Sequence, residues 1–487
     1  MSRRVTVGGS DVATGHYING ERVDSDSTFE DRSPLDWTWK LADVSRGSGV
    51  DATRAVDAAL AAFNPWAELG PRNRQVYLHR LADLIDANVE RIATLECLDM
   101  AMLEESLRLR VISRGARNFR AYADMAVAYE PRRWDSNRTH NSVLRMPAGP
   151  TVVITPWNAP FMLSTWKCAP ALAAGNTVVL KPAEWSPLSC SLLMDLVDEA
   201  DFPPGVFNLV QGLGEEVGAA LVSDPRVRRI SFTGSPATGR SIGVAAAKNL
   251  VPFTAELGGK GPLVIFADAD LAAAVEKAAL MYDDAGQVCL AGTRLLVESS
   301  IRDEFVTRLQ AASERLVLGD SRESTTMISP LIHPDHLTRV QGFVDRSVRA
   351  GDHLIFGGER WRGDGLWFTP TLIEPSSNDA EIVQYEVFGP VLTLQTFQTE
   401  DEAVALANST PYGLSAVVFT QSHDRAVRLG ERVRAGTIWV NCFLVRDLSA
   451  PFGGTGISGI GREGGDYALD FYSDLKTVQV KEGTTNG

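Results

Sequence analysis

Three residues could do chemistry together if the fold brings them to one place. Cys289 lies in D-A-G-Q-V-C-L-A-G, residues 284–292, with Gly286 before it and Gly292 after it. A reactive cysteine needs a lowered pKa and access; small neighbours leave access open, although the same thiol would also fit plain packing. Glu256, in A-E-L-G-G-K, ends a strand-like run beside two glycines. A carboxylate there can act as a general base or can cap a helix or pair with a cation. Asn158, in T-P-W-N-A-P, follows a buried strand between two prolines. A rigid amide in that place can donate to a developing oxyanion, or it can satisfy turn backbone.

Two further stretches have the chemistry of a nucleotide site. In S-F-T-G-S-P-A-T-G-R, residues 231–240, a strand ends at Phe232 and Gly234 permits a tight turn. Ser235 suits an N-cap and Pro236 the first helical position. The free N–H groups of a helix start attract a phosphate, yet a capped helix with no ligand reads the same way, and the spacing is not G-x-G-x-x-G. In K-P-A-E, residues 181–184, Lys181 and Glu184 sit at the carboxyl end of a strand, where open α/β sheets bind ligands. They could hold two ribose hydroxyls or form a solvated charge pair.

The elements that must position these residues follow from the hydrophobic pattern. Residues 76–98 place Leu81, Leu84, Ile85, Ile92 and Leu95 at helical spacing, which predicts one amphipathic helix in a helical N-terminal region. From residue 150 short β-branched runs alternate with helical stretches: T-V-V-I-T, a helix ending near Gly175, N-T-V-V-L, a helix over 187–200, V-F-N-L-V, a helix near 215–222, R-R-I-S-F, and a helix from Pro236. That alternation predicts a parallel sheet covered on both faces. It resumes with P-L-V-I-F, a helix over roughly 270–284, T-R-L-L-V and a helix over 301–316, which predicts a second α/β lobe. Polar residues 128–147, with a strand near Ser142–Met146, and the strand-like L-K-T-V-Q-V near the C-terminus stand apart.

Composition narrows the partners. A chain of 487 residues exceeds one ordinary core. The net charge of −14 argues against nucleic acid as the main partner but leaves room for a local arginine pair that binds an anion. No apolar run approaches the ~18–20 residues of a membrane span, and the first ten residues lack the apolar core of a signal peptide; a cytoplasmic protein is expected. The five cysteines are odd in number and widely spaced, with no C-x-x-C, so neither a disulfide framework nor a zinc or other metal site is expected.

Taken in order, P-W-N, K-P-A-E, P-P-G-V-F-N-L-V-Q-G, F-T-G-S, E-L-G-G-K, G-Q-V-C, E-V-F-G-P and P-F-G-G-T-G-I-S-G-I-G-R-E resemble the aldehyde dehydrogenase superfamily over nearly the whole chain. The resemblance implies a fold of two parallel-sheet α/β lobes plus a small β oligomerisation element: a nucleotide-binding domain from residues 1–127 and 148–257, a catalytic domain over 258–455, an oligomerisation element from 128–147 and 472–487, and a return segment over 456–471. It implies Cys289 as nucleophile, Glu256 as general base, and Asn158 with the Cys289 N–H as oxyanion hole. Lys181 and Glu184 would hold the adenosine ribose, with Gly234 and Ser235 by the pyrophosphate. Glu386 would hold the nicotinamide ribose, Phe388 would lie against the ring, and Trp157 would line the cleft. A non-acylating reaction is implied because members that pass the acyl group to coenzyme A typically lack this Glu. Glu184 should repel a 2′-phosphate, so NAD is the expected cofactor, with NADP secondary. A homodimer or homotetramer is implied.

W-N-A-P-F-M-L-S-T-W-K, residues 157–167, and N-C-F-L-V-R-D-L, residues 441–448, look most like the branch that oxidises hydroxymuconic semialdehydes. The expected substrate is therefore a carboxylated aldehyde such as 2-hydroxymuconic or 5-carboxymethyl-2-hydroxymuconic semialdehyde. An arginine fork suits a carboxylate; Arg446 and Arg120 are the candidates, with Trp166 and Phe452 completing the pocket. Arg446 could instead pair with Asp447, and Arg120 could be a surface charge. The alternative is betaine aldehyde or a broad range of uncharged aldehydes. Trp166, Phe161 and Phe443 would then form an aromatic cage, which Arg446 opposes. A cysteine hydrolase would need a histidine base that no motif supplies.

Overall fold

The computed structural model describes residues 2–362 and 365–483; residues 484–487 of the C-terminal segment lie outside them. Two large sheets carry the chain. The first runs, edge to edge, through Gly459–Ile460, Phe253–Glu256, Arg229–Thr233, Thr151–Ile154, Val178–Lys181, Phe207–Leu209, His16–Ile18 and Glu21–Val23. Its five central strands are parallel, and the flanking strands join antiparallel. The second runs through His353–Phe356, Thr371–Glu374, Val391–Phe397, Arg294–Glu298, Pro262–Ile265, Ser415–Phe419 and Thr437–Val440, parallel except at its first pair. Ser473–Lys481, Thr139–Pro147 and Arg132–Ser136 form a separate antiparallel sheet.

The central strands read as unbroken apolar runs because both faces are covered. Every residue of Val178–Lys181 and of Pro262–Ile265 is buried, as parallel sheets require. The parallel strands of the first sheet end toward the site, where Glu256 is the last residue of its strand, whereas Gly259, Cys289 and Glu386 lie just before the amino ends of Pro262–Ile265, Arg294–Glu298 and Val391–Phe397. The helix Pro160–Ala173 starts at the end of Thr151–Ile154 with proline in its first turn, and all but two of its residues are buried. It packs against Ile112–Ala128, which in turn packs on Gly70–Ala87. These helices bring Arg114 of the 112–128 segment over the Trp166 ring. Among the described residues no helix is long and apolar enough to cross a membrane.

Three expected helices differ in extent. Residues 76–98 form two helices, Gly70–Ala87 and Val89–Met100, because Asn88 leaves the helical region (φ −113°, ψ 17°) and turns its side-chain amide onto the Leu84 carbonyl at 2.8 Å. The helix expected over 270–284 runs from Leu271 to Ala279. It tightens into a 3₁₀ turn and breaks at Asp283–Ala285. The helix expected over 301–316 spans Arg302–Ser313. The N-terminal region also contains two hairpins, Arg4–Val7 with Ser10–Ala13 and Thr28–Arg32 with Lys40–Ser45. Asp31 from the second hairpin is buried beside Asp99 at the end of Val89–Met100. Burial pushes Asp99 up to about 7, and Asp31 is raised by burial and by Asp99.

Candidate active site

Cys289 sits in the loop that joins the broken helix to the strand Arg294–Glu298, half-buried where the two lobes meet. Asp284, Ala285 and Gly286 are three consecutive left-handed residues (φ 49°, 53° and 67°), an arrangement that costs L-residues steric energy. Hydrogen bonds hold the strained turn. The Gln287 side chain donates to the Asp284 carbonyl at 3.2 Å and accepts from Ile332 N–H at 3.0 Å, and Gly292 N–H donates to the Met281 sulfur at 3.1 Å. The glycines around the thiol serve close approach more than open access. A Cβ at Gly259 would collide with the Cys289 carbonyl oxygen, and one at Gly286 with the Gly389 carbonyl.

Asn158 reaches this loop from the opposite lobe, its amide nitrogen donating to the Gln287 carbonyl at 2.8 Å. One N–H is thereby fixed, and the second stays available to an oxygen on the substrate. Glu256 ends its strand with both carboxylate oxygens buried and lacking any hydrogen-bond partner. Burial raises its pKa well above the carboxylate range. Glu463 adds to the rise, while Lys167, Arg462 and Arg446 oppose it. Burial likewise pushes the Cys289 thiol up to about 12, with Glu386 and Glu256 adding and Arg446 opposing. The Cys289 thiol and the carboxylates of Glu256 and Glu386 are all raised by burial, and they are the groups between which the thiol's proton can move.

Glu463 and Lys167 were not anticipated from sequence. Glu463 accepts from Lys167 Nζ, from Trp166 Nε1 at 2.5 Å and from Ser231 Oγ at 3.3 Å, all buried. The pair acts on Glu256 in opposite directions, Glu463 raising its pKa and Lys167 lowering it. The G-R-E run that ends the last quoted motif was the one sequence signal.

The cleft between the sheets carries the residues expected to bind a nucleotide. Lys181 Nζ donates to Glu184 at 2.9 Å. Ser235 caps Pro236–Lys248 by accepting from Thr238 N–H at 3.1 Å, and Gly234 N–H is tied to the Glu256 carbonyl at 3.0 Å. Glu386 accepts from Gly259 N–H at 2.7 Å and is pushed by burial to about 7. Phe388 takes a left-handed backbone (φ 59°) and meets Trp157 edge-on at 5.3 Å.

The expected arginine pair needs one correction. Arg120 does not join the site: its guanidinium bridges Asp83 and Asp86 of the neighbouring helix at 2.6 Å each. Arg114 is there instead. Six residues apart on a helix of about 100° per residue, the two stand on opposite flanks of the buried stripe. Asn118, one turn from Arg114, hydrogen-bonds Thr165 at 3.1 Å and so marks the flank that faces Pro160–Ala173. Arg114 and Arg446 both lie over the Trp166 ring, at 5.5 and 5.7 Å, and Arg446 lies 3.8 Å from the Phe452 ring centroid. Among the described residues neither forms an ion pair. Asp447 turns to Ser449 instead, accepting from its N–H at 2.9 Å and its hydroxyl at 2.7 Å. Burial and the facing Arg446 pull Arg114 down to about 10. Burial lowers Arg446 too, opposed by Cys289, Glu256 and Glu463. Two partly desolvated cations therefore share the Trp166 ring, one of them close enough to Cys289 to feel its charge, and neither is ion-paired among the described residues. The loop that carries Arg446 is anchored by Trp439 Nε1 on the Val445 carbonyl at 2.9 Å.

A half-buried cysteine under an orienting amide, a buried unpartnered carboxylate and a nucleotide-type cleft between two α/β sheets agree with what comparison finds. Residues 22–478 match the aldehyde dehydrogenase family. The chain belongs to that family. This aldehyde dehydrogenase is 41% identical over 481 residues to 2-hydroxymuconic semialdehyde dehydrogenase of Pseudomonas sp. strain CF600, covering 96% of this chain and 99% of the relative. Its fold matches the crystal structure of HpcC from Thermus thermophilus with a TM-score of 0.94, at 43% identity and over 97% of this chain and 94% of the other. It matches betaine aldehyde dehydrogenase of Staphylococcus aureus, solved in complex with NAD+, with a TM-score of 0.94 at 36% identity, over 98% and 96% of the two chains. The enzyme is an oxidoreductase.

Proposed function

We propose that this aldehyde dehydrogenase oxidises a carboxylated semialdehyde of the 2-hydroxymuconic type to the acid, with NAD as oxidant. The observation that carries the substrate class is the unpaired Arg114–Arg446 couple on Trp166 beside the Cys289 pocket. Two close guanidiniums repel until an anion joins them, and a carboxylate accepts from such a fork bidentately. The identity with the Pseudomonas semialdehyde dehydrogenase supports the same reading. A trimethylammonium substrate fits this pocket poorly. Phe161 is fully buried in the core, and the Trp166 face is already taken by two cations.

In this reading Glu256 takes the proton of Cys289, and the sulfur forms a bond to the aldehyde carbon. Asn158 and the Cys289 N–H hold the resulting oxyanion, and collapse expels hydride to leave a thioester on Cys289. Glu256, having passed the thiol's proton to solvent, then takes a proton from water, the hydroxide adds to the thioester carbon, and the C–S bond breaks to release acid and thiolate. The cofactor, when bound, supplies the hydride acceptor. The residues fit it: the Ser235–Pro236 helix start offers N–H groups to a pyrophosphate, Lys181 and Glu184 suit the adenosine ribose, and Glu386 the nicotinamide ribose. Glu184 disfavours a 2′-phosphate, so NADP is expected as a secondary cofactor only. The three-stranded sheet with its open edge at Ser473–Lys481 suits pairing with a second copy, and a homodimer or homotetramer is inferred.

The test is NADH formation from 2-hydroxymuconic semialdehyde against an uncharged aldehyde of similar length. A preference of about a hundredfold or more in kcat/KM is expected. Equal or reversed preference overturns the substrate class and leaves the family standing.

A further inference from the structure

The segment E-V-F, Glu386–Phe388, has no regular structure of its own: it lies between the short helix Glu381–Gln384 and the strand Val391–Phe397. Yet it presents a carboxylate and an aromatic ring into the cleft, and its last residue holds a left-handed backbone that a phenylalanine rarely adopts. Such a conformation persists only where surroundings over-determine it. The surroundings here are two side chains from one face of the helix Pro334–Arg349. His336 Nε2 donates to the Phe388 carbonyl at 2.7 Å. Arg339 Nη2 donates to the Glu386 carbonyl at 2.7 Å, and its Nη1 donates to the Val387 carbonyl. All three consecutive carbonyls are taken by residues three apart on the helix, the spacing that puts both on one face.

Both donors are held. His336 is 6% exposed, meets Trp157 edge-on at 5.4 Å, and is kept neutral by burial, so its single N–H is the one given to Phe388. Arg339 lies over the Phe343 ring at 4.9 Å. The clamped segment reaches the nucleophile loop on its far side, because Gly286 packs against the Gly389 carbonyl. One helix thus fixes the cofactor-facing segment relative to the loop that carries Cys289.

We propose that His336 and Arg339 are positioning residues for hydride transfer, aiming the Glu386 carboxylate and the Phe388 ring at the nicotinamide half of the cofactor through the three carbonyls they hold. The inference rests on the reading that Glu386 and Phe388 face the nicotinamide. A displacement of about 1 Å at the reacting atoms can slow a reaction on the order of a hundredfold, so the defect should fall on kcat and on the hydride step.

The experiment compares His336→Ala, His336→Gln and Glu386→Gln, each as the full chain, using a protiated aldehyde and one deuterated at C1. His336→Ala should lower kcat about tenfold or more and raise the primary deuterium isotope effect on kcat. His336→Gln, which restores an N–H donor of similar reach, should recover most of kcat. Arg339→Ala should behave as His336→Ala does. The proposal is overturned if His336→Ala leaves kcat and the isotope effect unchanged, or if His336→Gln is as impaired as His336→Ala, which would mark a merely structural side chain. Glu386→Gln separates the two layers: no change in either KM for NAD or kcat overturns the nicotinamide reading itself, whereas a defect there with a silent His336→Ala overturns only the clamp.

Discussion

Under the proposed substrate class, removing the Arg446 guanidinium should lower the preference for a carboxylated aldehyde. Two unit charges about 4 Å apart at an effective dielectric of about 20 attract by about 4 kcal/mol. Arg446 is partly exposed, so solvent screens some of this, and Arg114 stays behind to hold one carboxylate oxygen. A loss of about 2–3 kcal/mol is a fair expectation for truncating one partner of a charge-assisted pair. At about 1.4 kcal/mol per factor of ten, that is roughly 30- to 150-fold in kcat/KM. The assay is steady-state NADH formation by Arg446→Ala with 2-hydroxymuconic semialdehyde and with an uncharged aldehyde of similar length. Only the first should suffer, and Arg446→Lys should recover part of the loss through its point charge. The unliganded variant should unfold no more easily than the parent, because it is relieved of repulsion from Arg114. Equal losses on both substrates, or none on the acidic one, would refute the reasoning.

Asn158→Ala should cut kcat about 10²- to 10³-fold, since it removes one oxyanion donor; steady-state rates at saturating aldehyde and NAD check this, and a loss under threefold would remove Asn158 from the oxyanion hole. Cys289 without cofactor should alkylate with iodoacetamide at a rate that climbs with pH past the ordinary thiol range. Its pKa is raised, so the reactive thiolate is scarce at neutrality and gains about tenfold per pH unit; a plateau near or below about pH 8.5 would contradict the burial argument. Asp31 and Asp99 are acids with raised folded-state pKa values. Their burial is tolerated below the unfolded carboxylate value of about 4 and destabilises as pH rises through about 7, the value for Asp99. Asp31→Asn should therefore raise the thermal midpoint at alkaline pH and change it little at acid pH, and a pH-independent shift would contradict the linkage.

The apolar runs Thr151–Ile154, Val178–Lys181 and Pro262–Ile265 announced the sheets because they are buried on both faces, and periodicity reports burial. The antiparallel hairpins near the N-terminus were not legible, because their strands are short and half-exposed: the stretch Thr28–Arg32 has one fully buried residue. The break at Asn88 escaped notice because the apolar spacing continues across it in nearly the same phase. In the site, the candidates Cys289, Glu256 and Asn158 were singled out from their neighbours in sequence, and the structure ties Asn158 to the Gln287 carbonyl two residues before Cys289. Residues that act from another element were not. Arg120 and Arg114 look alike in R-G-A-R-N-F-R, and only the helix's two neighbours decide which flank meets two aspartates and which meets Trp166. Likewise His336 and Arg339 point at backbone carbonyls, and backbone carries no sequence signature.

The charges around the pocket have a bearing on turnover. Arg446 and Arg114 share the Trp166 ring, and Glu256, buried with both oxygens unpartnered, lies close enough to Arg446 and to Cys289 to shift both. In the proposed reading a carboxylated aldehyde arrives with one negative charge, and release of the acid leaves the water's proton shared between the new carboxyl group and Glu256, whose pKa burial has raised. The product would then become a dianion only as it meets water, and ionisation outside that poorly solvated corner would keep it from returning.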